Sequence, residues 1–183
     1  MRKSALLFLL FLQASFLFAQ QKISFTSIKV DKLLSMKVPE NFVKLSDDQI
    51  ADKMIATRKP LVAYSNPSGT IDITVTVGNS NKNPWKDKDL KLMADFQKAN
   101  IMQLFTNVNI VEEKLLKIKG QQYAVFQFVS EVKEKGKTSL RKFHHIRYTI
   151  RKGNMLIFSF ICPESERGLY EGTAKEVMES IRF

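Results

Sequence analysis

From Val108 to Cys162 the chain is four strand-length segments joined by turns that permit only antiparallel pairing. Residues 108–118 end at Lys119-Gly120, 123–132 at Lys135-Gly136, and 138–151 at Lys152-Gly153-Asn154, before 155–162 closes the run. A parallel neighbour would need a crossover of about a dozen residues or more. This half of the chain therefore folds as a meander. Its last strand, 155–162, is almost continuously apolar, the pattern of a strand covered on both faces.

Before the meander the pattern alternates between strand and helix. Ser46-Asp47-Asp48-Gln49 reads as a capping box, in which the serine and the glutamine satisfy each other's backbone N–H, and opens a short helix ending near Met54. From Thr70 to Gly78, Ile71, Ile73, Val75 and Val77 fall on one face and Thr70, Asp72, Thr74 and Thr76 on the other. The turn residues Asn66-Pro67-Ser68-Gly69 make 61–65 the hairpin partner of that strand. A loop, 79–86, precedes a helix over 87–105, with Leu90, Met93, Phe96, Ala99 or Ile101, and Leu104 at helical spacing. A last helix spans 166–180, with Leu169, Thr173, Val177 and Ile181 stacked four apart on a stripe that packs on the sheet. The sum is an α+β domain, an antiparallel sheet with helices inserted in the middle and at the end.

The N-terminus carries an address. Arg2 and Lys3 precede an apolar run from Ala5 to Leu12, and Gln13, Ala14 and Ser15 loosen a second apolar patch ending at Ala19. That order predicts a signal peptide over 1–19, cut to leave Gln20 first. A retained anchor would need about 20 apolar residues in a row, and Gln13 and Ser15 interrupt this one. Residues 20–183 then make a single domain. Cys162 is the only cysteine, so the exported chain has no intramolecular disulfide and depends on packing. With Phe160, Ile161 and Pro163 beside it, Cys162 reads as a buried structural thiol.

Met36-Lys37-Val38-Pro39-Glu40-Asn41-Phe42 resembles the extended opening of PsbP-like domains, with Phe42 where tryptophan is frequent. Gly153-Asn154-Met155-Leu156-Ile157, the helix segment from Tyr170 to Val177 and the close on Ser180-Ile181-Arg182-Phe183 are similar as well. PsbP-like domains include an extrinsic protein of the plant oxygen-evolving complex and share a fold with a Ran-binding nuclear import factor. The resemblance implies a central antiparallel sheet of about six strands sandwiched between helices. It also implies a non-catalytic binding or assembly module, and it brings no cofactor motif.

Catalytic and metal-binding patterns are not found in the sequence. His144 and His145 are its only histidines, and as neighbours on a strand they point to opposite faces and cannot share a metal. No Gly-x-Ser-x-Gly, His-Glu-x-x-His or phosphate loop accompanies them. Asp87 and Asp89 read as a helix start favoured by the dipole rather than as a calcium loop. The expectation is no catalytic residue, no metal and no cofactor.

Charge is the remaining signal. Cleavage would leave 27 basic and 18 acidic residues, and residues 133–152 hold eight of the basic ones against Glu134 alone. Lys133, Lys135, Lys137, Arg141, His145, Arg147 and Arg151 are the candidate anion-binding residues. On the 138–151 strand, Arg141, Phe143, His145, Arg147, Thr149 and Arg151 share one face. Such a stripe suits an anionic envelope component (lipid head group or acidic glycan) or an acidic protein face. Export argues against nucleic acid. The other reading of the stripe is a solvated face bridged to Glu112, Glu113 and Glu131. Trp85 likewise either anchors a ligand or lids the core.

The sequence thus points to a monomeric, exported, non-catalytic envelope module, periplasmic or secreted. Two alternatives stay open: an enzyme with an unrecognised site, and a protein binding anionic lipid or glycan through the basic 133–152 hairpin.

Overall fold

The computed structural model describes residues 23–53, 58–78, 84–132 and 139–183. The predicted signal segment, much of the 79–86 loop, and Lys133, Lys135 and Lys137 lie outside them.

Among the described residues, nine strands and three α-helices follow in chain order: β1 (Phe25–Val30), β2 (Leu34–Pro39), β3 (Val43–Lys44), α1 (Asp47–Lys53), β4 (Val62–Ser65), β5 (Asp72–Gly78), α2 (Leu90–Leu104), β6 (Thr106–Ile118), β7 (Gln121–Val132), β8 (Leu140–Arg151), β9 (Asn154–Pro163) and α3 (Arg167–Glu179). β1 and β2 form a separate hairpin. The other strands make a seven-stranded antiparallel sheet in the order β3-β4-β5-β9-β8-β7-β6. The count exceeds six because Val43 and Lys44 pair with Ser65 and Tyr64 as a short edge strand.

Local chemistry accounts for the turns. Lys119 and Gly120 take φ of 48° and 86°, and Lys152 and Gly153 take 48° and 78°. Two consecutive left-handed residues make the hairpin turn whose twist matches that of its strands. At α1 the capping box forms: the Ser46 N–H donates to Gln49 Oε1 at 2.8 Å, and the Gln49 N–H to Ser46 Oγ at 3.3 Å. Ahead of α2, Asp87–Asp89 is a single 3-10 turn in which the Lys86 N–H donates to Asp89 Oδ2 at 2.9 Å.

Each sheet face carries its own core. α2 packs Leu90, Met93, Ala94 and Ile101 on Phe126, Phe128, Ile146 and Tyr148, and Trp85 packs against this cluster as a lid. On the opposite face, α3 and the β1–β2 hairpin cover Val125, Phe143, Phe158, Phe160 and Cys162. Burying side chains of this size stabilises by about 1.5–3 kcal/mol each. The end of the chain is tied in as well, because Ser35 and Arg182 exchange backbone hydrogen bonds at 2.8 and 2.9 Å.

Two helical stripes differ from expectation. Phe96 and Leu104 of α2 are exposed, since the stripe through Leu90, Met93, Ala94 and Ile101 turns both outward. Leu169 of α3 is exposed for the same reason: Thr173, Ala174, Val177 and Met178 face the sheet.

Candidate functional site

A register shift in β6 builds the site. Between Ile110 and Glu112 the pairing with β7 slips, leaving Val111 as an extra residue, and a bulge of this kind re-aims the side chains that follow it. Beyond it, Glu112, Lys114, Leu116 and Ile118 lie opposite Gln127, Val125, Tyr123 and Gln121. On β8 the row continues with His145 beside Gln127 and Arg147 beside Val125. α3 packs on β2, β8 and β9. Between α3 and the β6–β7–β8 end of the sheet remains a cleft of about 460 Å³. Its walls are Glu112, Lys114, Leu116, Lys117, Ile118, Val125 and Gln127 from the sheet and Glu171, Gly172, Lys175 and Glu179 from α3, with His145 and Arg147 on its floor.

Arg147 is only 4% exposed. Its Nη1 donates to the carbonyl oxygen of Met178 at 3.0 Å, in the last turn of α3, where the helix dipole favours a cation. Its guanidinium lies 5.9 Å from the centre of the Tyr123 ring. Burial pulls its pKa below the ordinary arginine value, partly offset by Glu179, Tyr123 and Glu112. Nε has no hydrogen-bond partner among the described residues.

His145, 3% exposed, also lines the cleft, and its Nε2 has no partner among the described residues. Burial, with Arg147 and Lys114 nearby, pushes its pKa down to about 3, so it is neutral at pH 7. The facing carboxylates are engaged elsewhere. Glu112 accepts from Lys114 at 2.6 Å and from Gln127 at 2.8 Å, and Glu171 accepts from Arg167 at 3.0 Å.

The remaining candidates are dispersed. His144 points to the α2 face, where Nε2 meets Ser130 Oγ at 2.9 Å and the ring stacks on Phe128 at 4.4 Å. Burial lowers its pKa to about 3 as well. Arg141 is exposed and forks onto Glu164, a pairing that raises its pKa and lowers that of the carboxylate. Arg151 reaches Gln121 Oε1 at 3.4 Å and lies over Phe183 at 4.7 Å.

The face holding the predicted stripe is therefore not in water along its length. Phe143, His145, Arg147 and Thr149 are buried, with α3 and the β1–β2 hairpin packed on this side of the sheet, and only the Arg141 and Arg151 ends emerge. The bridges expected of a solvated face are also different: Glu112 pairs with Lys114, Glu113 with Lys98, and Arg141 with Glu164. The sequence does not single out Lys114, Gln127, Lys175 or Glu179 as site residues, and it offers Glu112 only as a bridging acid. A signal was present in Phe143 and Thr149, which share the face of Arg147 and do not suit a fully wet one.

Cys162 is fully buried, and burial pushes its thiol up to about 12. Among the described residues no three of His, Cys, Asp and Glu are grouped to hold a metal ion. No helix among them is long and apolar enough to cross a membrane.

The sheet order and its helical layers match solved structures. Cyanobacterial PsbP from Synechocystis superposes with a TM-score of 0.54 at 12% identity, over 87% of this chain and 91% of that one. This chain has the PsbP-like fold. The Ran-binding protein Mog1p of Saccharomyces cerevisiae has the same score and identity, over 88% and 96%. A Pseudomonas aeruginosa protein of unknown function scores 0.50 at 11% identity, over 87% and 96%. At such identities the likeness is one of fold, and the PsbP-like fold brings no site with it. No protein-family model matches the sequence, and no curated protein matches it either.

Proposed function

We propose that this chain is an exported, non-catalytic binding or assembly module of the cell envelope, with the α3 cleft as its binding element. The observation that carries the reading is the chemistry of that cleft. It holds a buried guanidinium and a neutral imidazole, each with a nitrogen that has no partner among the described residues, and none of the described residues lining it carries a hydroxyl or thiol. A histidine with a pKa of about 3 is too weak a base to take a proton at neutral pH. The carboxylates of the walls are paired, Glu112 with Lys114, Glu171 with Arg167 and Glu179 with Lys175, and a lining of this kind suits holding a ligand. Mog1p, a Ran-binding protein with this fold, gives a precedent for using the fold in binding. Export rests on the order of charge and apolar residues in 1–19.

Two measurements on natively expressed protein test the proposal. Mass spectrometry is expected to find the chain starting at or near Gln20, outside the cytoplasm. Titration with a solubilised envelope fraction is expected to raise the melting temperature saturably and to leave the bound component chemically unchanged. An intact Met1–Ala19 segment inside the cell, or turnover of the bound component, overturns the reading.

A further inference from the structure

We infer that the cleft between α3 and strands β6–β8 is a binding site for the carboxylate of a small, partly apolar molecule, gripped by Arg147 and His145. The inference rests on the binding-module reading and deepens it by naming the ligand.

Arginine carries five N–H donors in a planar fork. Arg147 commits Nη1 to the Met178 carbonyl, while Nε is buried without a partner among the described residues. Buried polar atoms are nearly always hydrogen-bonded, so a guanidinium with an unused edge beside a cleft points to an acceptor brought from outside. The fork of arginine matches a planar carboxylate bonded at two points. His145 adds a second unsatisfied nitrogen in the same cleft. No acid among the described residues bonds to Arg147: Glu112 is turned to Lys114 and Gln127, Glu171 to Arg167, and Glu179, whose charge partly offsets the burial of Arg147, pairs with Lys175 at 4.0 Å.

Charge and volume narrow the class. The cleft lining carries four cations and three carboxylates, which leaves one positive charge to be matched. A monoanion balances that charge, whereas a phosphate dianion would meet the acidic rim of Glu112, Glu171 and Glu179. Leu116, Ile118 and Val125 give the cleft an apolar wall, and about 460 Å³ falls in the range of small-molecule sites. The ligand is therefore a monocarboxylate with an apolar body.

Calorimetric titration of the purified protein with octanoate and benzoate, beside octanamide and benzamide, tests the inference. The carboxylates are expected to bind saturably and the isosteric amides at least 10-fold more weakly. Arg147→Met is expected to lose carboxylate binding. Because that change touches a buried residue, Gly172→Phe is the second variant. Gly172 lines the cleft, and a Cβ there meets nothing within 4 Å, so a phenyl ring is accommodated on this wall without a clash at its root. It is expected to block binding while the melting temperature holds. Failure of both acids to bind, equal binding of acid and amide, or unchanged binding by Gly172→Phe overturns the inference. If the envelope fraction still raises the melting temperature in that event, the binding-module reading survives. If the fraction has no effect either, both fall.

Discussion

Arg147, in the middle of strand β8, donates to the main-chain carbonyl of Met178 in the last turn of helix α3, 3.0 Å away. One side chain thus fastens the helix to the sheet and floors the cleft beside it. A hydrogen bond from a charged donor contributes about 1.5–3 kcal/mol, and Arg147 also packs against the Tyr123 ring. Arg147→Ala is expected to cost about 2–4 kcal/mol in urea unfolding, and Arg147→Met, which keeps most of the packing, about half of that. A change below about 0.5 kcal/mol for the alanine variant would remove the fastening role.

Acid should weaken the fold early. His144 and His145 both have folded pKa values near 3, against about 6.5 in the unfolded chain, because burial penalises the charged ring. A depressed folded value means that the unfolded state takes up the protons. The stability is complete above about pH 6.5 and drains as the pH falls toward 3. For two such histidines the loss between pH 7 and pH 5 is about 3–4 kcal/mol. Urea midpoints measured across that window check it, and H144Q/H145Q is expected to flatten the profile.

Gly153 and Gly120 occupy equivalent turn positions with φ of 78° and 86°. A Cβ at Gly120 would meet nothing within 4 Å, while one at Gly153 would sit 2.8 Å from Cβ of Pro84. Gly120→Ala is expected to cost about 1–2 kcal/mol from backbone strain alone. Gly153→Ala should cost more, since the segment bearing Pro84 must also shift. Thermal unfolding of the pair decides the order, and equal losses would mean that the Pro84 contact has no energetic weight.

Cys162 should be silent to thiol reagents in the native protein. Its side chain is buried and its pKa is raised to about 12, so almost no thiolate is presented at pH 8. Labelling is expected only at the rate of global unfolding, rising with urea. Rapid labelling in buffer would contradict the packing of β9 against α3.

Much of the sheet is legible from short-range chemistry. The Lys-Gly turns 119–120 and 152–153 set the register of two hairpins, and Ser46 with Gln49 sets the start of α1. The site is not legible in the same way, because it depends on events distant in the chain. The alternation Arg141, Phe143, His145, Arg147 looks the same whether that face meets water or a helix. Burial is imposed by α3, which starts 20 residues after Arg147. The Val111 bulge is equally silent, since an extra residue before Glu112-Glu113 leaves no mark in the hydrophobic pattern. The β1–β2 hairpin escapes for a related reason: its turn, with Asp31 at φ 49°, has neither glycine nor proline.

The most direct test watches the side chain on which the account rests. In nitrogen-15 spectra, the Arg147 Nε–Hε resonance can be followed as the envelope fraction that raises the melting temperature is added. The account predicts that this resonance shifts along with the thermal response and saturates at the same concentration. The Nε–Hε resonance of Arg141, held by Glu164, is predicted to stay in place. A melting temperature that rises while Arg147 does not move would place binding elsewhere and contradict the account.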